Sequence, residues 1–146
     1  MMSLSTKFEK FKGYKTQWAS QFYVAAELTR RGYLVALTLG NAQTTDLMVI
    51  SQSGKQFKVD VKGLSRINFW LVKRRQENDL YYILVYLPED GKPPRFFVMT
   101  SEEVANEIEQ HKMSVEAKGR VYKKFSEGFN WSVAFKYENK WDKLPA

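Results

Sequence analysis

Leu47-Met48-Val49-Ile50, Ser51-Gln52-Ser53-Gly54-Lys55 and Gln56-Phe57-Lys58-Val59-Asp60-Val61-Lys62 form the stretch from which the rest of the chain can be read. An apolar tetrad, a polar break holding a glycine, and a cleanly alternating heptad spell a β-hairpin, because strand side chains point alternately to the two faces of a sheet. Phe57, Val59 and Val61 then face a core, while Lys58, Asp60 and Lys62 share the opposite face. A turn symmetric about Ser53 pairs residues equidistant from it. Asp46 therefore falls opposite Asp60, with Cβ atoms about 4.5–5.5 Å apart.

On the N-terminal side, Trp18, Phe22, Ala25 and Leu28 recur at helical spacing, which predicts a helix over 16–31 with Thr16 as N-cap and Gly32 as its stop. The first dozen residues, lysine-rich among Phe8, Phe11 and Tyr14, either extend that helix or form a basic arm. Residues 33–39 read as the first strand, closed by a Gly40-Asn41 turn. Beyond the hairpin, 63–79 stays open between strand and helix at Phe69-Trp70-Leu71-Val72. Residues 81–87 and 95–99 read as a second hairpin across the turn-rich 88–94. Ser101 is expected to cap a short helix carrying Val104 and Ile108 and ending near His111. The tail, with Trp131 and Trp141, shows few periods.

A chain of 146 residues, 44% hydrophobic and 15% aromatic, supports one domain with a real core, spanning 1–146. The opening Met-Met-Ser-Leu-Ser-Thr-Lys lacks a signal pattern, and no segment approaches the roughly 20 apolar residues that span a bilayer. The expectation is a soluble, cytoplasmic protein. Cysteine is absent, which excludes disulfides, thiolate zinc sites and cysteine nucleophiles. A formal charge of +7 and a pI near 9.5 favour a polyanionic partner, although solubility alone accounts for such a balance in many proteins.

Two carboxylates as close as Asp46 and Asp60 repel unless a cation lies between them, and all-oxygen donors suit Mg²⁺ or Mn²⁺. Such a cation activates a phosphate and a water, while Lys62 meets charge developing on phosphorus. That is phosphodiester hydrolysis in outline. The plainer reading is a solvated hairpin face on which Lys58 and Lys62 neutralise the two acids.

In order and spacing these residues resemble the PD-(D/E)XK nuclease superfamily. The helical acid is Glu27 in Ala26-Glu27-Leu28, the hairpin acid is Asp46 in Thr45-Asp46-Leu47-Met48-Val49-Ile50, and the acid-x-Lys element is Asp60-Val61-Lys62-Gly63. Thr45 stands where the superfamily's name puts proline, and Asp60 where Glu is commoner. The resemblance extends over most of the first hundred residues. It implies an α/β (α+β) fold with a restriction-endonuclease-like core: a mixed central β-sheet flanked by helices in αβββαβ-type order. It also implies a metal-dependent endonuclease that hydrolyses DNA, duplex or branched, in restriction, repair or junction resolution. Glu27, Asp46, Asp60 and Lys62 would be catalytic, and the three acids would hold Mg²⁺ (or Mn²⁺). One site per chain would need a homodimer to cut both strands at once.

Competing readings keep the fold but not turnover: a catalytically inactive nucleic-acid-binding or interaction module, or a structural subunit of a larger complex. Glu27 has a rival role as the partner of Arg31 four residues on, and Gln21 and Ser20 read as surface or packing residues. Lys73-Arg74-Arg75, with Arg66 upstream, would form a phosphate-binding edge. Trp70 reads more readily as core than as a base-stacking platform, and His111 stands alone. No Gly-rich phosphate loop, GxSxG elbow, helix-turn-helix or zinc finger is legible, so sequence specificity is not either.

Overall fold

The computed structural model describes residues 3–39, 45–75 and 77–146, with the side chains of 4–13 excepted. The Gly40-Asn41 turn lies outside the described residues. Helix α1 spans Leu4–Arg30, so the N-terminal stretch extends the helix and Thr16 sits well inside it rather than capping it. Gly32 ends α1 as expected. Its φ of +95° is open to glycine at little cost, and the Gly32 and Tyr33 amides return to the carbonyls of Thr29 (3.0 Å) and Leu28 (3.1 Å).

Strands β1 (Leu34–Leu37), β2 (Leu47–Ile50) and β3 (Gln56–Leu64) form an antiparallel meander. The β2–β3 register pairs Leu47 with Val59 and Ile50 with Gln56 as expected, but it ends there: Asp46 lies outside β2, and its amide bonds the Val59 carbonyl at 3.2 Å instead of pairing across the ladder with Asp60. The turn is tight because Gly54 adopts a φ of +88° and donates back to Ser51 at 2.9 Å. Past β3 the chain forms the two-residue strand β4 (Trp70–Leu71), then β5 (Leu80–Tyr86), parallel to β3, and β6 (Arg95–Thr100), antiparallel to β5. The five-stranded sheet has the order β1-β2-β3-β5-β6.

Helix α2 (Ser101–Ala117) follows β6 directly. Its N-cap is Thr100, not Ser101, because a capping box joins Thr100 to Glu103 in both directions, at 3.1 and 2.9 Å. Nothing breaks the helix at His111, so it runs on to Ala117. Beyond it, β7 (Gly128–Phe129) pairs with β4 in a small second sheet, and 3-10 turns cover Lys124–Ser126, Trp131–Tyr137 and Trp141–Lys143. The molecule is thus α+β, a mixed sheet flanked by helices. Between β3 and β5, where the αβββαβ order has a helix, the described chain forms only β4, which pairs with β7 from beyond α2.

Each sheet face has its own core. Val24 and Leu28 of α1 pack on Val59, Val61 and Ile83. On the other face Tyr82, Leu84 and Phe97 pack with Trp70, Ile108 and Phe129. Trp70 is 1% exposed and stacks on Trp131 at 5.4 Å, so it is a core residue and cannot meet a base. Full burial of such side chains contributes roughly 1.5–3 kcal/mol each. Among the described residues no helix is long and apolar enough to cross a membrane.

One glycine sets how closely α1 approaches β3. A Cβ on Gly63 would lie 2.2 Å from Ser20 Oγ and 3.1 Å from the Thr16 carbonyl oxygen. Its absence lets the middle of α1 reach the β3 backbone, and that contact builds one wall of the site described next.

Candidate active site

Strand alternation delivers Asp60 and Lys62 to the face opposite Val59 and Val61, where Lys62 Nζ lies 3.6 Å from Asp60 Oδ2. Asp46, one residue before β2, turns back across the hairpin. Its Oδ2 accepts the Val61 N–H at 2.8 Å, and its Oδ1 accepts the Gln21 side-chain amide at 3.3 Å. Gln17, one helical turn earlier, donates to the Val61 carbonyl at 2.6 Å and accepts from the Gly63 N–H at 3.1 Å. The two glutamines and the acid-x-Lys backbone are therefore tied into one unit.

Asp60 is only 8% exposed. Burial, the largest influence, pushes its carboxyl up to about 7; Lys62 and Arg75 draw it down, while the neighbouring Asp46 carboxylate raises it further by charge and by sharing a hydrogen bond. The Asp60 carboxyl therefore holds its proton up to near neutral pH unless more positive charge reaches it. Lys62 is more open than the acid beside it, with 38% of its side chain exposed.

These groups line a cleft of about 660 Å³ that also takes in Lys73, Arg75, Phe125 and Glu127. Arg75 pairs with Glu77 at 3.3 Å. Lys73 has no ion-pair partner among the described residues. Glu127 is held by Arg74, whose backbone N–H and guanidinium both meet its carboxylate.

The structure thus brings together Asp46, Asp60, Lys62, Lys73 and Arg75, and leaves out three other residues that the sequence singled out. Glu27 does not line the cleft: its carboxylate is engaged by Arg31 at 3.0 Å and Arg30 at 3.4 Å. The reason is position on the helix, since six residues separate it from Gln21 by about 9 Å along the axis and about 120° around it. Arg66 is solvated and pairs with Glu89 at 3.4 Å. Arg74 faces Glu109 and Glu127 and lines an adjoining groove with Lys73, Lys112 and Lys124. Gln17, Phe125 and Glu127 are site residues that sequence reasoning did not single out, and Gln21 was set aside. The signal for the glutamines was present: both lie on the stripe of α1 that carries Ser20, Val24 and Leu28, where a polar side chain must find an internal partner.

The donor set can be tested against a divalent cation. Among the described residues no group of three or more His, Cys, Asp or Glu side chains converges. Two carboxylates do, and each oxygen of Asp46 that already accepts one hydrogen bond keeps a second lone pair. All-oxygen donors, two neighbouring acids and a cleft with room for waters suit Mg²⁺ or Mn²⁺, which commonly bind through one or two carboxylates plus substrate phosphate. The residues present fit the group. Comparisons of the chain with protein-family models, with curated proteins and with solved structures return no match.

Proposed function

We propose that the chain is a metal-dependent endonuclease of the PD-(D/E)XK type that hydrolyses phosphodiester bonds of DNA. The observation that carries this reading is the meeting of Asp46, Asp60 and Lys62 in a cleft bordered by Lys73 and Arg75. Asp46 and Asp60 would hold Mg²⁺ or Mn²⁺, which supplies Lewis-acid activation of the phosphodiester and of water. The chain's own residues do the rest. Gln21 and the Val61 amide fix the Asp46 carboxylate, and Gln17 fixes the strand from which Asp60 and Lys62 project. Lys62, partly exposed beside Asp60, donates to a phosphate oxygen and meets charge that grows there during displacement. Lys73 and Arg75 attract and orient the backbone. Glu27 acts as a helix ion-pair partner rather than as a third ligand.

The absence of a third converging acid among the described residues favours a second reading, a DNA-binding module without turnover. On the first reading the protein works in the cytoplasm, as a homodimer where both strands are cut. The deciding experiment incubates purified protein with plasmid, linear and branched DNA in Mg²⁺ or Mn²⁺, beside Asp60→Ala and Lys62→Ala. Cation-dependent cleavage by wild type alone supports the nuclease. Salt-sensitive binding with no cleavage by any of the three supports the module.

A further inference from the structure

The cleft has a second feature that phosphodiester hydrolysis does not require. Phe125, which lines it, is 79% exposed, and Leu71 on the same wall is 62% exposed. Residues 118–125 carry Lys118, Arg120, Lys123 and Lys124 and no acid, so the ring sits in a strongly basic segment. That segment is pinned two residues further on. The Val72 amide bonds the Glu127 carbonyl at 3.0 Å, the Arg74 amide bonds the Glu127 carboxylate at 3.0 Å, and Trp70 pairs with Phe129 across the small sheet. Lys123 Nζ lies 5.9 Å from the Phe125 ring centroid. Lys73 and Glu127 belong both to this cleft and to the adjoining groove with Lys112 and Lys124, so the basic surface runs on from the paired carboxylates past the ring.

A solvated phenyl ring beside a row of lysines matches one strand of nucleic acid with its bases free: phosphates meet the ammonium groups while a base covers the ring. Continuous duplex offers phosphates but keeps its base faces stacked inside. We propose that Phe125 is a stacking platform for an unpaired base of a DNA strand whose phosphates are held by Lys73, Lys123 and Lys124. The preferred substrate then carries unpaired nucleotides beside the bond to be cut, as in a single strand, a flap or a fork. The cleavage part of this inference rests on the nuclease reading; the platform itself does not.

The test uses the full chain in EDTA and compares a single strand, a duplex and a forked duplex of equal length, each with 2-aminopurine at the unpaired or corresponding paired position. Wild type should bind the single strand and fork more tightly than the duplex and quench the unpaired probe. Phe125→Ala should weaken unpaired DNA about 5- to 150-fold, the range expected for one lost base–aromatic stack, with little change on duplex. Phe125→Trp should retain both the preference and the quenching. Equal losses on duplex and single strand, or no loss on either, would overturn the platform. So would a self-association that Phe125→Ala abolishes while DNA binding stays unchanged, because the ring would then belong to a contact between copies. Binding in EDTA is read without cleavage, so a protein that cuts no DNA yet shows the Phe125-dependent quench loses the nuclease reading and keeps the platform. A protein that cuts with an unpaired-to-duplex ratio unchanged in Phe125→Ala does the reverse.

Discussion

Replacing Asp60 by asparagine should make the protein more stable, with a pH dependence fixed in advance. The Asp60 carboxyl rises from 3.8 to about 7 in the folded protein, chiefly through burial. At about 1.4 kcal/mol per unit, the cost of ionising it in place is on the order of 4 kcal/mol. That is a ceiling, because the amide forgoes the attraction of Lys62, 3.6 Å away, and must find its own hydrogen bonds. The sign follows from linkage. Below about pH 4 the carboxyl is protonated in both folded and unfolded chains and costs nothing; between about pH 4 and 7 the unfolded chain releases its proton first, so wild-type stability falls. Above about pH 7 both states are ionised and the loss is complete. Asp60→Asn escapes that loss, so its advantage should be near zero at about pH 4, grow through about pH 7 and then level off. Urea unfolding of both proteins in EDTA, at matched ionic strength across this range, reads the difference directly, and the other titrating groups largely cancel. A difference that does not change with pH, or that favours wild type at high pH, would refute the reasoning. Nuclease activity should vanish in the same variant.

Gly63→Ala should destabilise the fold by about 1–3 kcal/mol in urea titration, because the added methyl meets Ser20 and the Thr16 carbonyl rather than open space. Gln21→Ala should lower kcat roughly 10- to 100-fold with KM little changed, since it frees one oxygen of Asp46 without touching the DNA-facing cations; steady-state cleavage of an oligonucleotide separates the two. Glu27→Gln should leave cleavage unchanged and cost only about 0.2–0.5 kcal/mol of stability, as expected for a lost helix ion pair.

The hairpin was legible down to its register because strict alternation in 56–62 and a glycine able to take positive φ at Gly54 leave one pairing that buries Phe57, Val59 and Val61. The acid pair needed more than that register: the ladder ends at Leu47 and Val59, and Asp46 meets Asp60 through its side chain, which turns back to the Val61 N–H. Other boundaries shifted where two residues could serve equally: Thr100 and Ser101 are both capping types, and only the reciprocal bond with Glu103 selects the first. The segment 63–79 stayed unreadable because β3 runs on to Leu64 and β4 exists only through its pairing of Trp70 with Phe129, far along the chain. Glu27 stands apart from the site by both height and phase: it lies about 9 Å along α1 from Gln21 and about 120° around it, so its carboxylate stays with Arg30 and Arg31 while the glutamines reach Asp46 and β3. Gln17 and Gln21 were hidden for a different reason: an amide on a buried stripe reads as packing until its partners, Asp46 and the β3 backbone, are seen.

The central claim is that Asp46 and Asp60 together form a site for a hard divalent cation, and calorimetric titration with Mn²⁺ at about pH 8, where Asp60 has lost its proton, tests it most directly. One Mn²⁺ should bind per chain in wild type and in Glu27→Gln, and none measurably in Asp46→Asn or Asp60→Asn. Binding that survives in both asparagine variants, or no binding in wild type, would contradict the account.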